Sequence, residues 1–403
     1  MFTVYGLLFT GAKVRKSLEF RVECLEFFFN ASVFLSINFV LCPLNRNFVP
    51  YLRLIDMVKL YPFLFEPNLH PIVWGGKRLR PYKGLAASDE PIGESWEVSA
   101  VPSSTSIISN GAFAGQDLNS VISQSPARIL GGKVARKYGG KLPLLVKFID
   151  AEKDLSIQVH PDDAMAQREH GKFGKSEIWY IIDAKPGSHL YAGFKDEITP
   201  EEYKRRVADG TIVEVLARHE VKAGDVFYLP AGRVHAICGG ILLAEVQQSS
   251  DVTYRIYDYN RPGMDGKPRE LHTELASQAL NFHVEEEYRT QYSDVAGRAN
   301  RIIDSPYFSV RVTEMNSIFH RNLIKYDSFI ISMCIKGDCT ISMRTTEDKI
   351  LLREGHSVLI PASIADYDVI PLHGKTRILD AYIDNMDKSI GSVISRFLHI
   401  TEK

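Results

Sequence analysis

Two imidazoles, a carboxylate and an amide stand in this chain at spacings that suit a metal ion: His160, His235, Glu177 and Gln158. Gln158 and His160 lie two apart in LSIQVHP (155–161). That run alternates like a strand, so both side chains point to one face. Glu177 sits in SEIWYIID (176–183), a second alternating run, and His235 follows the turn after Pro230 in PAGRVHAI. Two imidazoles and a carboxylate match a catalytic Zn²⁺ site, with donors at roughly 2.0–2.2 Å and positions left for water or substrate. An Fe(II) oxygenase uses a similar set, so the donors alone leave the metal open. The chain has 12 His, so a lone pair of them means little. Context is what separates these: an HP closing an alternating strand, and a PxGxxH after the buried run GDVFYLP (224–230).

The surrounding elements read as short strands. LPLLVKFIDA (142–151) is a buried strand, apolar and opened by Pro143; ILLAEVQQ (241–248) is another. Residues 116–139 read as helical. Thr199-Pro200-Glu201-Glu202 is a helix start, with Thr as N-cap and Pro at the first position, and a small helical insertion is expected over about 197–220. Strands at regular short spacing indicate a sandwich or barrel. Residues 303–383 have the same texture, and GDVFYLPA (224–231) is echoed by GHSVLIPA (355–362) at an offset of 131. By that offset His235 falls on Asp366, so a duplicated second unit would lack the first unit's histidine ligand. The expectation is a mainly β chain: a cupin-type β-barrel (jelly roll) over 57–300 and a degenerate cupin-like β domain without metal over 301–403.

Residues 1–56 differ from the rest. They hold nine of the 21 Phe and no Asp before Asp56, and Phe27–Asn45 carries no charge. The run is diluted by Asn and Ser and lacks the layout of a signal peptide. Three readings compete: a membrane anchor, an extension integrated into the fold, and a non-homologous stretch upstream of a start at Met57, which is the reading favoured here. The whole chain of 403 residues has a formal net charge of −1, which offers no general attraction to nucleic acid or anionic membrane. Five sparse Cys without a CxxC pair argue for thiols in a reducing, cytoplasmic compartment.

LSIQVHPDD, FGKSEIWYII, LPAGRVHAI and DVTYRIYDYNR together resemble the type I mannose-6-phosphate isomerase family in its short bacterial form; IVWGGKRL (72–79) and IGESWEVSAVP (92–102) fit its N-terminal strands. The resemblance covers about Leu60 to Phe282 well and the C-terminal unit loosely. It implies one Zn²⁺ per chain on His160, Glu177 and His235, with Gln158 as fourth ligand, and a catalytic Arg255. It implies a substrate pocket that includes Ser156 and Lys175, a small sugar phosphate as sole partner, and a monomer. Ser176 departs from the Pro many relatives carry there, between a retained Lys and Glu.

The implied reaction moves a carbonyl between C1 and C2 of mannose 6-phosphate and fructose 6-phosphate through a cis-enediol. Arg255 suits the developing enediolate charge, because a guanidinium stays cationic and offers several donors. Lys175 suits either the phosphate or proton transfer. Another metal cupin enzyme, a dioxygenase or a sugar epimerase, is the alternative; a non-catalytic binding module is a third. Trp74, Trp96 and Trp179 are expected in the core.

Overall fold

The computed structural model describes residues 59–385. The chain divides into two units, Met1–Met57 and Val58–Lys403, and the described residues belong to the second. The expectation for residues 1–56 therefore lies outside them.

Eleven strands precede residue 300: β1 Leu69–Gly76, β2 Ile92–Val98, β3 Leu144–Ala151, β4 Ile157–Val159, β5 Glu177–Ala184, β6 His189–Phe194, β7 Leu216–Glu220, β8 Val226–Leu229, β9 His235–Ile237, β10 Ile241–Gln248 and β11 Tyr254–Tyr257. They form two sheets, ordered β1-β2-β3-β10-β5-β8 and β11-β4-β9-β6-β7. Nine more follow: β12 Asn300–Asp304, β13 Ser309–Met315, β14 Phe319–Asn322, β15 Ile330–Lys336, β16 Cys339–Met343, β17 Lys349–Leu352, β18 His356–Ile360, β19 Asp366–Pro371 and β20 Thr376–Tyr382. Their sheets run β12-β13-β20-β15-β18 and β14-β19-β16-β17. Strand for strand, this repeats β2-β3-β10-β5-β8 and β4-β9-β6-β7, so the echo seen in the sequence is a repeat of topology.

Residues of both sheets of the first half meet in one apolar core that includes Trp74, Ile149, Trp179, Leu190, Phe227 and Leu243. The opposite face of its large sheet buries Val146, Phe148, Ala244 and Val246 in a core shared with Val310, Val312, Ile331 and Leu379 of the second half. That explains why β3 and β10 are buried at every residue: one face packs against the facing sheet of the first half and the other on the second half. Burial of this continuous apolar surface is the main stabilising term, at roughly 25 cal/mol per Å².

One local expectation holds in finer detail and another needs correction. Residues 116–139 form three short helices, Leu118–Gln124, Pro126–Leu130 and Gly132–Lys137. Pro126 starts a new helix, and Gly131 at φ +95° turns the chain where any Cβ would strike the Asp327 carbonyl. In the insertion, helix Pro200–Ala208 is capped by the Thr199 hydroxyl, which accepts from Glu202 N. Ile212–Val215 is one 3₁₀ turn, and Leu216–Glu220 is a strand, β7, paired with β6. Residues 216–220 (LARHE) include no β-branched side chain, so it is the sheet edge offered by tertiary pairing with β6 that makes them a strand.

The repeat register identifies the second half's counterparts of the candidate ligands. Gln158 pairs with His235, as Asn322 pairs with Asp366. Glu177 pairs with Leu229, as Ile330 pairs with Ile360. Inside the second half, Arg321 Nη2 lies 2.9 Å from Asp380 Oδ2, and Ser332 Oγ donates to Asp380 Oδ1 at 2.6 Å.

Candidate metal centre

Among the described residues, one group of three potential ligands converges. His160, Glu177 and His235 offer donor atoms that all lie within 4.8 Å of one another. His160 Nε2 is 3.3 Å from Glu177 Oε2, and His235 Nε2 is 3.4 Å from Glu177 Oε1. The three come from different strands. His160 directly follows β4, His235 opens β9 beside it, and Glu177 opens β5 on the large sheet. The site is thus made where the two sheets face each other.

All three residues are at most 1 % exposed. The Nδ1–H of His160 donates to the Val252 carbonyl at 3.1 Å, and that of His235 to the Arg233 carbonyl at 2.8 Å. Those bonds select the tautomer that leaves each Nε2 lone pair pointing at Glu177. Burial, helped by the ammonium of Lys175, pushes His160 down to about 3. Burial lowers His235 as well, against the pull of Glu177. Burial alone would raise the Glu177 carboxyl, but Lys175 and the two His hold it well below its usual value. Neutral imidazoles beside an ionised carboxylate are the protonation states a cation requires.

The fit is also visible in what the site lacks. His160 Nε2 and both Glu177 oxygens are buried without a hydrogen-bond partner. Orphaned buried polar atoms are costly, on the order of 1–3 kcal/mol each, and a shared cation relieves all three together. Gln158 Nε2 lies 3.2 Å from His235 Nε2, and a half-turn of that amide presents its carbonyl oxygen instead.

A cavity of about 180 Å³ adjoins these residues. Of the residues picked from the sequence, Ser156, Gln158, Lys175 and Arg255 line it. Lys175 Nζ reaches Glu177 Oε2 at 3.2 Å, which places it at the metal end. Arg255 sits opposite Gln158 on the neighbouring strand and donates from Nη1 to the Glu270 carbonyl at 2.9 Å. It makes no pair with Asp258, whose partners are Arg261 and Arg269. The three Trp are both core and wall: Trp74 and Trp179 are buried, Trp96 is half-buried, and all three line the cavity.

Sequence reasoning missed Glu94, Lys147, Glu245 and Arg269, which also line the cavity. Lys147 Nζ stands 3.3 Å from both Glu94 Oε2 and Glu245 Oε1. The indole N–H of Trp179 donates to Glu245 Oε2 at 2.9 Å, and that of Trp96 to Glu94 Oε2 at 2.6 Å. Trp96, Lys147, Glu245 and Trp179 are register partners across β2, β3, β10 and β5, one continuous row on the inner face. Burial and then repulsion from Glu177 raise Glu245, whereas for Glu94 the upward push of burial is overcome by Lys147, the Trp96 N–H and Lys175 acting together, and the carboxyl is lowered. A signal was available: Lys147 in the middle of the apolar run LLVKFIDA and Glu245, the lone charge in ILLAEVQQ, need a reason to be there.

Comparison with known proteins agrees with this geometry. The family model for the type I phosphomannose isomerase catalytic domain matches residues 63–186. The mannose-6-phosphate isomerase of Streptococcus mutans is 31% identical over 319 residues, 77% of this chain and 98% of that protein. The Bacillus subtilis enzyme ManA is 33% identical over 309 residues, 76% of this chain and 95% of that protein. The crystal structure of the Bacillus subtilis mannose 6-phosphate isomerase superposes with a TM-score of 0.72 at 32% identity, covering 80% of this chain and all of that one. On these matches and on the cupin-type fold they share, the chain belongs to the type I phosphomannose isomerase family.

Proposed function

We propose that this chain is a zinc-dependent isomerase that interconverts mannose 6-phosphate and fructose 6-phosphate through a cis-enediol. The observation that carries the reading is the buried His160–Glu177–His235 set, with its three orphaned donor atoms beside a charged cavity. Gln158 completes the donor set. When bound, the ion supplies Lewis-acid polarisation of the sugar's C1 and C2 oxygens.

The chain's own residues do the rest. The reaction takes a proton from C2 of the aldose and delivers it to C1, while the hydroxyl proton of O2 passes to O1. Glu245 suits that transfer: it faces the cavity, and its Oε1 has no hydrogen-bond donor although Lys147 is near. Its raised pKa strengthens it as a base. The Trp179 N–H holds its other oxygen and so fixes the carboxylate's orientation. Arg255 stabilises the negative charge that develops on the enediolate oxygens. Ser156 and Lys175 orient the sugar at the metal end. The Trp walls keep bulk water away, which strengthens each of these charges.

The chain is taken to act as a monomer in the cytoplasm, consistent with Cys238, Cys334 and Cys339 being free, buried thiols. Among the described residues no helix is long and apolar enough to cross a membrane. One preparation tests the function: metal analysis, then an NADP-coupled assay of fructose 6-phosphate formation. About one zinc per chain is expected, with turnover abolished by chelator and restored by Zn²⁺. A fully active metal-free enzyme would sink the proposal.

A further inference from the structure

We propose that Arg269 anchors the phosphate of the substrate and so sets the preference for a phosphorylated sugar. The proposal rests on the isomerase reading above and adds the residue that reads the phosphate.

Three guanidinium groups and one buried carboxylate meet where β11 leads into the loop before helix Thr273–Ala279. Asp258 accepts from Arg261 Nε and Nη2, at 3.1 and 2.8 Å, and from Arg269 Nε and Nη2, at 2.7 and 2.6 Å. Arg255 adds a third cation, and its Nε is buried without a partner. One buried carboxylate among three arginines leaves an excess of positive charge, offset only in part by the exposed Glu270 carboxylate near Arg255. Arg255 and Arg269 line the cavity, while Arg261 turns its Nη1 to the Asp154 carbonyl. The other end of the cavity is different: Lys147 lies between Glu94 and Glu245, and Lys175 lies on Glu177. Asp251, also on the wall, is paired with Lys172 at 2.5 Å. Uncompensated positive charge is therefore concentrated at the Arg255–Arg269 end, where it matches a phosphate monoester carrying nearly two negative charges.

Arg269 is also held ready. Its Nε–Nη2 edge is clamped on Asp258, which leaves Nη1 for a ligand oxygen, and a fork fixed in advance loses little entropy on binding. The loop that carries it is closed by a Pro262–Pro268 bridge and by Gly263 N donating to the Lys267 carbonyl at 2.7 Å. The far end of the loop is tied to Arg255 itself: His272 N donates to the Arg255 carbonyl at 2.7 Å, and Arg255 N donates to His272 Nδ1 at 3.2 Å. Arg255 is the strand partner of Gln158 and so belongs to the sugar end. Arg269, beyond it, is left for the phosphate.

The test uses the full-length, metal-loaded protein with mannose 6-phosphate as substrate and inorganic phosphate as competitor. Arg269→Ala is expected to raise KM about 10–100-fold, the usual weight of a charge-assisted contact, with kcat within about threefold of wild type. Inhibition by inorganic phosphate should weaken by a similar factor, and metal content should not change. Arg269→Lys should recover part of the loss, because it restores charge without the fork. Asp258→Asn should give an intermediate KM, since it unclamps the fork. If Arg269→Ala yields no folded protein, Arg269→Gln, which keeps bulk and removes charge, is measured in the same way. An unchanged KM and phosphate inhibition constant, or a loss confined to kcat and metal content, would overturn the proposal. Absence of turnover in metal-loaded wild type would instead sink the isomerase reading. Calorimetric binding of inorganic phosphate would then still decide Arg269, by weakening or not weakening in the Ala variant.

Discussion

Arg255 and Arg269 make a pair of contrasting cases at the scale of single residues. If Arg255 stabilises the enediolate, its interaction is stronger in the transition state than in bound substrate, so kcat should fall rather than KM rise. Arg255→Ala is expected to cost on the order of 10²–10³ in kcat, roughly 3–4 kcal/mol, with metal content unchanged and only partial rescue by Lys. Near-normal kcat with a much higher KM would reassign Arg255 to ground-state binding. His160 gives a pH prediction. Its folded pKa is depressed to about 3 by burial and Lys175, whereas in the unfolded chain an imidazole titrates near its ordinary value of about 6.5. Between those values the unfolded state binds the extra proton. Stability of the metal-free protein should therefore be full above about pH 6.5 and fall as pH drops, by up to about 1.4 kcal/mol per pH unit for this group. Denaturant titrations across that window should show a shallower slope in His160→Gln; an equal slope would remove His160 as the cause.

The row Trp96–Lys147–Glu245–Trp179 is a property of elements. It exists because β2, β3, β10 and β5 are adjacent in one sheet and in matched register. A one-residue slip in β10 would send Glu245 to the opposite face, into the core shared with the second half. Glu245→Gln keeps shape and register but removes the base. It should lower kcat by about 10²–10⁴ while leaving metal content intact. A change of only a few-fold, measured in the coupled assay, would rule Glu245 out as the proton carrier. Lys147 would still pair with Glu94, so the sheet itself should stand.

At the scale of the whole molecule, one pair of sheets carries the chemistry and the other supports it. In the second half, Ile330 stands where Glu177 would repeat and Asp366 where His235 would. An apolar side chain there cannot ligate, and the Arg321–Asp380 pair reaches across between the two sheets of the second half. One metal per chain follows, and two per chain would contradict it. Arg321 and Asp380 are almost fully buried, so Asp380→Ala would strand a charge and should destabilise by about 3–5 kcal/mol in chemical denaturation. Since the large sheets of both halves share one core, that loss should lower the inactivation temperature of the catalytic half as well. A chain starting at Met57 is expected to turn over at the full-length rate; a large loss would make residues 1–56 part of the enzyme.

The local pattern of residues was enough to determine several things about this protein. Period-two alternation put Gln158 and His160 on one face, and Pro, Gly and Thr199 marked where strands and one helix begin. The GDVFYLPA and GHSVLIPA echo announced the duplication. Donor type and the motifs around it singled out His160, Glu177 and His235 as candidate ligands, because metal ligation restricts the choice to few side chains, and the fold brings their donor atoms within 4.8 Å of one another. What only the tertiary structure decided depends on pairing between distant strands. Leu216–Glu220 became strand because β6 offered it an edge. Lys147 and Glu245 were unremarked charges in apolar runs until register set them 3.3 Å apart in the cavity wall. Arg269 became a candidate only when Asp258 clamped it beside Arg255. Sequence periodicity reports which face a side chain takes, whereas the partner across that face is set by which strands pair and in what register, a choice made by the burial of both sheets at once.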